Sequence, residues 1–540
     1  MIDSIDYEKR FVGQSIPVLT PAEMRKTEEG AFAHGIPSLL LMEHAAIKVV
    51  DVLEAELGGS CREKKVLFFC GTGNNGGDGL AAARLFKRRG GYPHVVMAGN
   101  AKTPDAKTNQ NWAEEIGIPI YNLAEYSQQE KHAFLEDGHD RFDAFVDALL
   151  GTGFKGKPEG LMEELIRAPL DYFFPHDHPI IAVDIPSGMD GKSGEIPGAC
   201  MPADVTVTFH AVKPGLILTK KRDYVGKIVL ADIGLWDIEA YSDYDGGVDL
   251  EALREGVCYM LPHSAVDFPE RPINAHKGDC GRILIYAGSM GMAGAAAMCA
   301  RAAIAAGAGL TTIACPREII PVLQVLAPNA MCVDIEEAVQ NPPAYDVLAV
   351  GCGLSQKEGV WENILKLYDP QRPSVWDADA LNLLAKRPMK LGKNAVITPH
   401  PGEAARLLGW SMEKILADRF QANRALCEKF DCTAVLKSDV TVIGEMQENI
   451  PCYYLNAVGS PALAKGGSGD ALAGMLAALL HSQGPGAETA ALASLWHGMA
   501  GVVGENKFGQ RELTTMQLID CLHEAEKWGK GEMPTPDTKK

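Results

Sequence analysis

Two successive series of short apolar runs constrain this chain more than any other feature. Each run is closed by a glycine-rich or polar turn. The first series reads KKVLFFC, HVVMAG, FDAFVD, PIIAVDI and DVTVTF; the second reads RILIYAG, LTTIAC, YDVLAVG, PSVWDADAL, NAVITPHPGE and CTAVLKS. Apolar runs that alternate with helical patterns build parallel sheets, because parallel neighbours need a crossover connection that a helix supplies. The expected class is therefore α/β, as two tandem domains. A helix is expected just before the first series, where Thr20 and Glu23 form a capping box and Pro21 takes the first helical position. Between the series, residues 236–275 are acidic and then proline-rich, and read as a connector. The tail GKGEMPTPDTKK reads as disordered.

Composition bounds the partners. With 540 residues and 46% apolar content the chain has ample core for several layers, and its net charge of −19 argues against nucleic acid or an anionic membrane surface. Anionic small molecules stay open, because local backbone amides bind phosphate inside an acidic protein. Thirteen scattered cysteines with no C-x-x-C spacing point to reduced thiols and a cytoplasmic setting. MIDSIDYEKR has no apolar core of a signal peptide. AGAAAMCARAAIAAGAGL is interrupted by Arg301, and reads as a packed core helix rather than a membrane span.

Polar groups gather where the runs end. FCGTGNNGGDG contains G-x-G-x-x-G at Gly71, Gly73 and Gly76. A dehydrogenase would place Asp or Glu at the end of the next strand, but HVVMAGN ends in Gly99 and Asn100, and Asp78 would repel a pyrophosphate at the helix entrance. In VDALLGTGFKGKP, Gly151 to Lys157 mimics a Walker A loop, yet Pro158 replaces the Ser or Thr that would hold magnesium. What remains is a glycine-rich loop whose Lys155 and Lys157 suit anions. AVDIPSGMDGKSGE adds Asp184, Ser187 and Asp190. Asn75, Asp147 and Ser187 could converge as oxygen ligands for a cation. Each of the three is equally a normal turn or cap residue.

In the second half, AKGGSGDALAG puts Asp470 at a helix start after Gly466, Gly467 and Gly469, where amides can hold a phosphate and a carboxylate can take a proton. The plain alternative is an acidic residue favouring a helix N-terminus. A glycine-rich turn, Gly288 to Gly294, follows another strand. Asp377, Asp379, His400, Glu403 and Lys437 lie near further strand ends, and a lone histidine such as His400 serves structure as readily as catalysis.

GTGNNGGDG, FVDALLGTG and VDIPSGMDG, in that order and with SLLLMEHAA near the start, resemble the NAD(P)H-hydrate epimerase domain over residues 15–240. His44 stands where that family usually has Asn. The resemblance implies a Rossmann-like three-layer sandwich that takes hydrated NADH or NADPH as substrate. It implies contacts from Asn74, Asn75, Gly76, Gly77 and Asp78, and from the loop Gly151, Thr152, Gly153, Phe154, Lys155, Gly156 and Lys157. It also implies potassium held by Asn75, Asp147 and Ser187, with Asp184 as a substrate-binding acid/base. HKGDCG, DADALN, TPHPGE and GGSGD resemble the ADP-dependent NAD(P)H-hydrate dehydratase domain, of ribokinase-like fold, over residues 250–530. There the implied nucleotide site is Lys437, Ser438, Asp439, Val440, Thr441 and Gly469. The implied hydrate site is Ala295, Gly353, His400 and Asp470, with Asp470 catalytic and magnesium accompanying ADP, ATP being the second choice. Cys352 and Ser355 stand where the family often has Pro and Gly, and Lys465 where Thr is usual. By the same analogy a homo-oligomer is expected. A ribokinase-like kinase of a small hydroxymethyl heterocycle, and a non-catalytic nucleotide sensor, are the competing readings.

Overall fold

The structure, a computed structural model, describes residues 5–7, 15–136, 142–173, 178–235 and 256–532. Residues 236–255 of the expected connector and 533–540 of the expected disordered tail lie outside the described residues. The described chain falls into two compact units that part between residues 235 and 256.

The first unit is a parallel sheet in the order Ile5–Tyr7, Lys227–Ala231, Val205–Phe209, Ile180–Val183, Ala144–Ala148, Lys65–Cys70, Tyr92–Met97, Ile120–Asn122. From Lys65–Cys70 the chain builds outward to one edge and then returns to build toward the other. The direction of winding therefore reverses between Lys65–Cys70 and Ala144–Ala148, where open α/β sheets form a crevice at their carboxyl ends. Val66, Phe68 and Cys70 pack beneath the helices Ser38–Glu56 and Asn74–Arg88, while Leu67 and Phe69 face Leu165 and Ile166 on the other side. Two helix-covered faces explain why the strands read as continuous apolar runs. The helix Pro21–Ala33 starts as its sequence predicts: Glu23 N–H donates to Thr20 Oγ1 at 3.3 Å, and Thr20 N–H donates to the Glu23 carboxylate at 2.7 Å.

The second unit orders Met331–Asp334, Leu310–Cys315, Arg282–Tyr286, Val347–Val350, Ser374–Trp376, Ala395–Ile397 and Thr433–Leu436 in parallel. Its winding reverses between Arg282–Tyr286 and Val347–Val350. Thr441–Gln447 and Ile450–Asn456 then form an antiparallel hairpin, and Val257–Met260 pairs parallel with the second of these strands. That last strand corrects the connector reading of 236–275: its proline-rich surroundings hide a short strand that depends on a partner two hundred residues away. The hairpin is also unannounced, because its turn places Glu448 and Asn449 at φ 48° and 71° without glycine. The helices Ala293–Ala305 and Ser468–Ser482 pack so closely that a Cβ on Gly474 would lie 2.0 Å from the Cys299 carbonyl oxygen. Among the described residues no helix is long and apolar enough to cross a membrane.

Candidate active sites

In the first unit the glycine-rich segment is the first turn of a helix rather than a loop before it, since the helix runs Asn74–Arg88. Its glycines answer to packing. A Cβ on Gly76 would lie 1.9 Å from the Gly71 carbonyl oxygen, and one on Gly71 would lie 1.9 Å from that of Leu149. Only bare backbone lets this helix start directly against its strand end. The neighbouring strand end approaches equally closely, for a Cβ on Gly151 would sit 3.0 Å from Asn75 Oδ1. Asn75 Nδ2 is buried with no hydrogen-bond partner. Asp147 and Ser187 meet fully buried: the Ser187 N–H donates to Asp147 Oδ2 at 2.7 Å, the Ser187 hydroxyl donates to Oδ1, and Ser187 Oγ accepts the Leu150 N–H at 2.8 Å. Burial lifts the Asp147 carboxyl to about 6, with the Ser187 bonds pulling the other way.

Asp184 ends the next strand in the left-handed region, φ 68°. Its carboxylate lies 2.6 Å from Lys213 Nζ and accepts the Thr208 hydroxyl at 3.3 Å. Lys213 is wholly buried and donates to Thr208 Oγ1 at 3.1 Å and to the Phe209 carbonyl at 2.9 Å. Burial, with Asp184 next, raises Glu28 to about 7, and burial followed by Asp184 holds Asp78 well above the carboxylate range. Burial and these neighbouring carboxylates thus disfavour the charge on Asp78 that its sequence position suggests. Asp190, by contrast, is a turn residue: its Oδ1 accepts from the Lys192 and Ser193 N–H groups and from the Ser193 hydroxyl. The loop from Gly151 to Lys157 is largely exposed, with Phe154 N–H bonded to the Gly151 carbonyl at 3.1 Å and the Lys157 stem lying against Gly198. Lys213, Thr208 and Glu28 went unnoticed in the sequence. The run HAVKPGL carried a signal, because a lysine at a helix N-terminus is electrostatically disfavoured and needs a buried counter-ion.

In the second unit four strand ends and one helix N-terminus converge. Gly467, φ 97°, caps the helix Ser468–Ser482, and Asp470 lies in its first turn. Lys437, after Thr433–Leu436, is 2.9 Å from Asp377, after Ser374–Trp376. A Cβ on Gly469 would lie 3.4 Å from Lys437 Nζ and 3.5 Å from Asp377 Oδ2, so this turn lies directly over the ion pair. Cys352 Sγ and one carboxylate oxygen each of Asp377 and Asp470 lie within 4.8 Å of one another. Burial, then Asp377, pushes Asp470 up to about 6. Burial works against the Lys437 charge, and Asp377 and Glu403 more than restore it. His497 braces the turn from Ala487–Phe508, its Nε2 lying 3.2 Å from Ser468 Oγ and 3.1 Å from the Ser468 carbonyl.

The remaining residues divide. Gly353, φ 61°, leaves room for Ala295, whose Cβ would be 2.8 Å from an added Cβ, and its carbonyl accepts the Ser289 hydroxyl at 2.9 Å. His400 is the N-cap of the helix Pro401–Leu408: its Nδ1 accepts the Gly402 N–H at 3.0 Å, and Glu403 accepts the His400 N–H at 2.9 Å. Its outer nitrogen lies 3.6 Å from the Glu403 carboxylate, and burial followed by Lys437 lowers its pKa. Asp379 accepts the Ser355 N–H at 2.8 Å and so orders the turn after Val347–Val350. In the strip from Lys437 to Thr441 only Lys437 reaches the ion-pair cluster. Ser438 and Asp439 bond each other, Arg419 holds Asp439 at 2.8 Å, Val440 is buried and Thr441 begins the hairpin.

Comparison with known proteins places both halves. Residues 38–215 match the family model described as YjeF-related protein N-terminus, and residues 283–524 match the one described as NAD(P)H-hydrate dehydratase. The chain is 34% identical to the bifunctional NAD(P)H-hydrate repair enzyme Nnr of Moorella thermoacetica, over 94% of this chain and 96% of that one. It is 36% identical to the enzyme of the same name from Escherichia coli, over 84% of each. The solved ADP/ATP-dependent NAD(P)H-hydrate dehydratase of Bacillus subtilis, co-crystallised with ATP and magnesium, is 30% identical, with 49% of this chain and 96% of that one covered and a TM-score of 0.45.

Proposed function

The chain belongs to the bifunctional NAD(P)H-hydrate repair enzymes, and from that premise we propose how its residues divide the work. It epimerises the R and S hydrates of NADH and NADPH and dehydrates the hydrate back to the reduced dinucleotide. We assign the first activity to residues 15–240 and the second to residues 250–530, with the S form as the one dehydrated.

The observation that carries the dehydratase reading is the convergence of Asp470, Asp377 and Lys437 under the Gly467–Gly469 turn. The amides of a helix N-terminus suit a phosphate, although that of Ser468 is given to the Lys465 carbonyl at 3.4 Å, and Lys437 adds a positive charge. Against one lysine stand two carboxylates, so a magnesium nucleotide of reduced charge suits the site better than a free polyanion. Asp470 accepts the proton of the ring hydroxyl as that oxygen attacks the terminal phosphorus of ADP, and AMP leaves. The phosphate ester then departs with its C–O electrons, pushed by the ring nitrogen, and loss of a neighbouring proton restores the double bond. The products are NAD(P)H, AMP and phosphate. Ala295, Gly353 and His400 line the hydrate side, and Lys437 to Thr441 with Gly469 the nucleotide side.

In the first unit Asp184 is the acid/base group and Lys213 is its ion-pair partner, while the segment from Asn74 to Asp78 and the loop from Gly151 to Lys157 face the substrate. Potassium fits the oxygen set of Asn75, Asp147 and Ser187, because the Asp147 and Ser187 oxygens meet in a buried pair and the buried Asn75 amide nitrogen is left without a partner, as an amide whose oxygen belongs in its place would be. It would supply a fixed positive charge at this buried strand end. Free thiols at all thirteen cysteines support a cytoplasmic setting, and a homo-oligomer is our reading of the assembly.

The test is a mixture of both NADH-hydrate epimers with magnesium, potassium and either ADP or ATP, followed by the return of dihydronicotinamide absorbance. Full recovery with ADP is expected. Recovery that stops at the S fraction would remove the epimerase assignment, and faster recovery with ATP would reverse the nucleotide preference.

A further inference from the structure

We infer that Thr208 is a positioning residue of the epimerase site: its hydroxyl links Lys213 to Asp184 and holds that carboxylate by Oδ1, leaving Oδ2 to face the substrate. The inference rests on Asp184 being the acid/base group. It starts from two neighbouring strands. Ile180–Val183 and Val205–Phe209 run parallel with Val183 opposite Val207, and the Asp184 N–H continues the ladder to the Val207 carbonyl at 2.8 Å. The next residue on each strand end is then Asp184 beside Thr208. Strand alternation sends Val205, Val207 and Phe209 into the core that also holds the helix Ser38–Glu56, and turns Thr206 and Thr208 to the other face. The Ile185 N–H donates to the Val183 carbonyl at 2.9 Å and closes a three-residue turn around Asp184 at φ 68°, a conformation that L residues rarely adopt. With the backbone held in that turn, what is left to set is the direction of the carboxylate.

The bond directions follow from what each group can give and take. An ammonium group only donates, so Thr208 Oγ1 accepts from Lys213 Nζ at 3.1 Å. The single hydroxyl proton must then go elsewhere, and Asp184 Oδ1 accepts it at 3.3 Å. Lys213 Nζ lies 2.6 Å from the same oxygen and is held from behind by the Phe209 carbonyl at 2.9 Å. Coulomb attraction depends on distance and leaves a carboxylate free to rotate, whereas a hydrogen bond also sets an angle. Lys213 therefore supplies charge and Thr208 supplies direction. Both meet Oδ1, so Oδ2 is the oxygen left for the reacting group. Exposure agrees: Thr208 is fully buried and the Lys213 side chain is 1% exposed, while that of Asp184 is 13% exposed. At 3.3 Å the Thr208 bond is long, as hydrogen bonds to catalytic groups often are before substrate closes on them.

The test uses the full chain with Thr208→Val, Thr208→Cys and Thr208→Ser, assayed below the thermal midpoint of the first unit. It reads kcat and KM for S/R exchange, with dehydration of the S form as the measure of active chain. Valine keeps the shape and removes both hydrogen bonds, so kcat for exchange should fall roughly tenfold to a hundredfold with KM within about twofold, because the carboxylate remains but is turned. Cysteine, a weak donor, should fall between, and serine should stay within about threefold of the parent protein. If the valine variant does not fold, the comparison of cysteine with serine carries the test. Exchange unchanged in the valine or cysteine variant, a loss carried by KM alone, or a serine variant as impaired as the valine one overturns the inference. Asp184→Asn separates the two levels: if exchange survives it, the underlying assignment of Asp184 fails, whatever the Thr208 variants do.

Discussion

Lys213 is buried without access to water, and its charge is matched at 2.6 Å by Asp184. Removing one partner of such a pair leaves the other charge uncompensated, so Lys213→Met should destabilise the first unit by about 3 kcal/mol and abolish S/R exchange. Urea unfolding followed by a probe in that unit, alongside the exchange assay, checks both parts. Asp184→Asn keeps the shape and removes the charge; exchange should vanish while dehydration of the S form continues. Persistence of exchange in Asp184→Asn would end its acid/base role. At the other site, Asp470 titrating at about 6 sets the direction of the pH profile. A base must be ionised, so dehydration should hold above pH 7 and fall as pH drops through about 6. A profile flat down to pH 5 would contradict this.

At the scale of elements, the helices that carry the two glycine-rich motifs open on glycine for different reasons. In Asn74–Arg88 the glycines allow strand end, helix and neighbouring loop to meet at backbone contact, and Gly76→Ala has 1.9 Å where a carbon needs more than 3 Å. That substitution should lower the thermal midpoint of the first unit and eliminate exchange, with dehydration retained; calorimetry and the paired assays would show it. In Ser468–Ser482 the demand is conformational, since Gly467 adopts φ 97°. Motif spacing exposed both glycine clusters in the sequence, but not which constraint each obeys. The short strand Val257–Met260 and the hairpin Thr441–Gln447 with Ile450–Asn456 escaped the reading because neither is marked by a strong local turn signal.

For the molecule as a whole, the pairing of an epimerase with a dehydratase in one chain follows from stereochemistry. Hydration gives two epimers, and a chiral pocket accepts one. In a mixture of epimers, Asp184→Asn protein should restore absorbance only to the S fraction, whereas Asp470→Asn protein should restore none while still interconverting R and S. Mixing the two variants should return full recovery, since each supplies the activity the other lacks; failure of the mixture would show that both activities must reside on one chain.

The sequence by itself determined the α/β class, the two series of strands, the helix cap at Thr20 and the strand ends at which polar residues gather. These are local facts, because hydrophobic period, capping and turn chemistry act over a few neighbouring residues. Only the tertiary structure decided which of those residues meet. It joined Asp147 to Ser187 and Asp377 to Lys437, gave Asp190 to a turn and His400 to a helix cap, and brought Lys213, Glu28 and Cys352 to carboxylates far away in the chain. Charge state was decided there too. Burial and the nearest counter-charge fix whether a carboxyl donates, accepts or merely pairs, and both depend on the order of strands in the sheet.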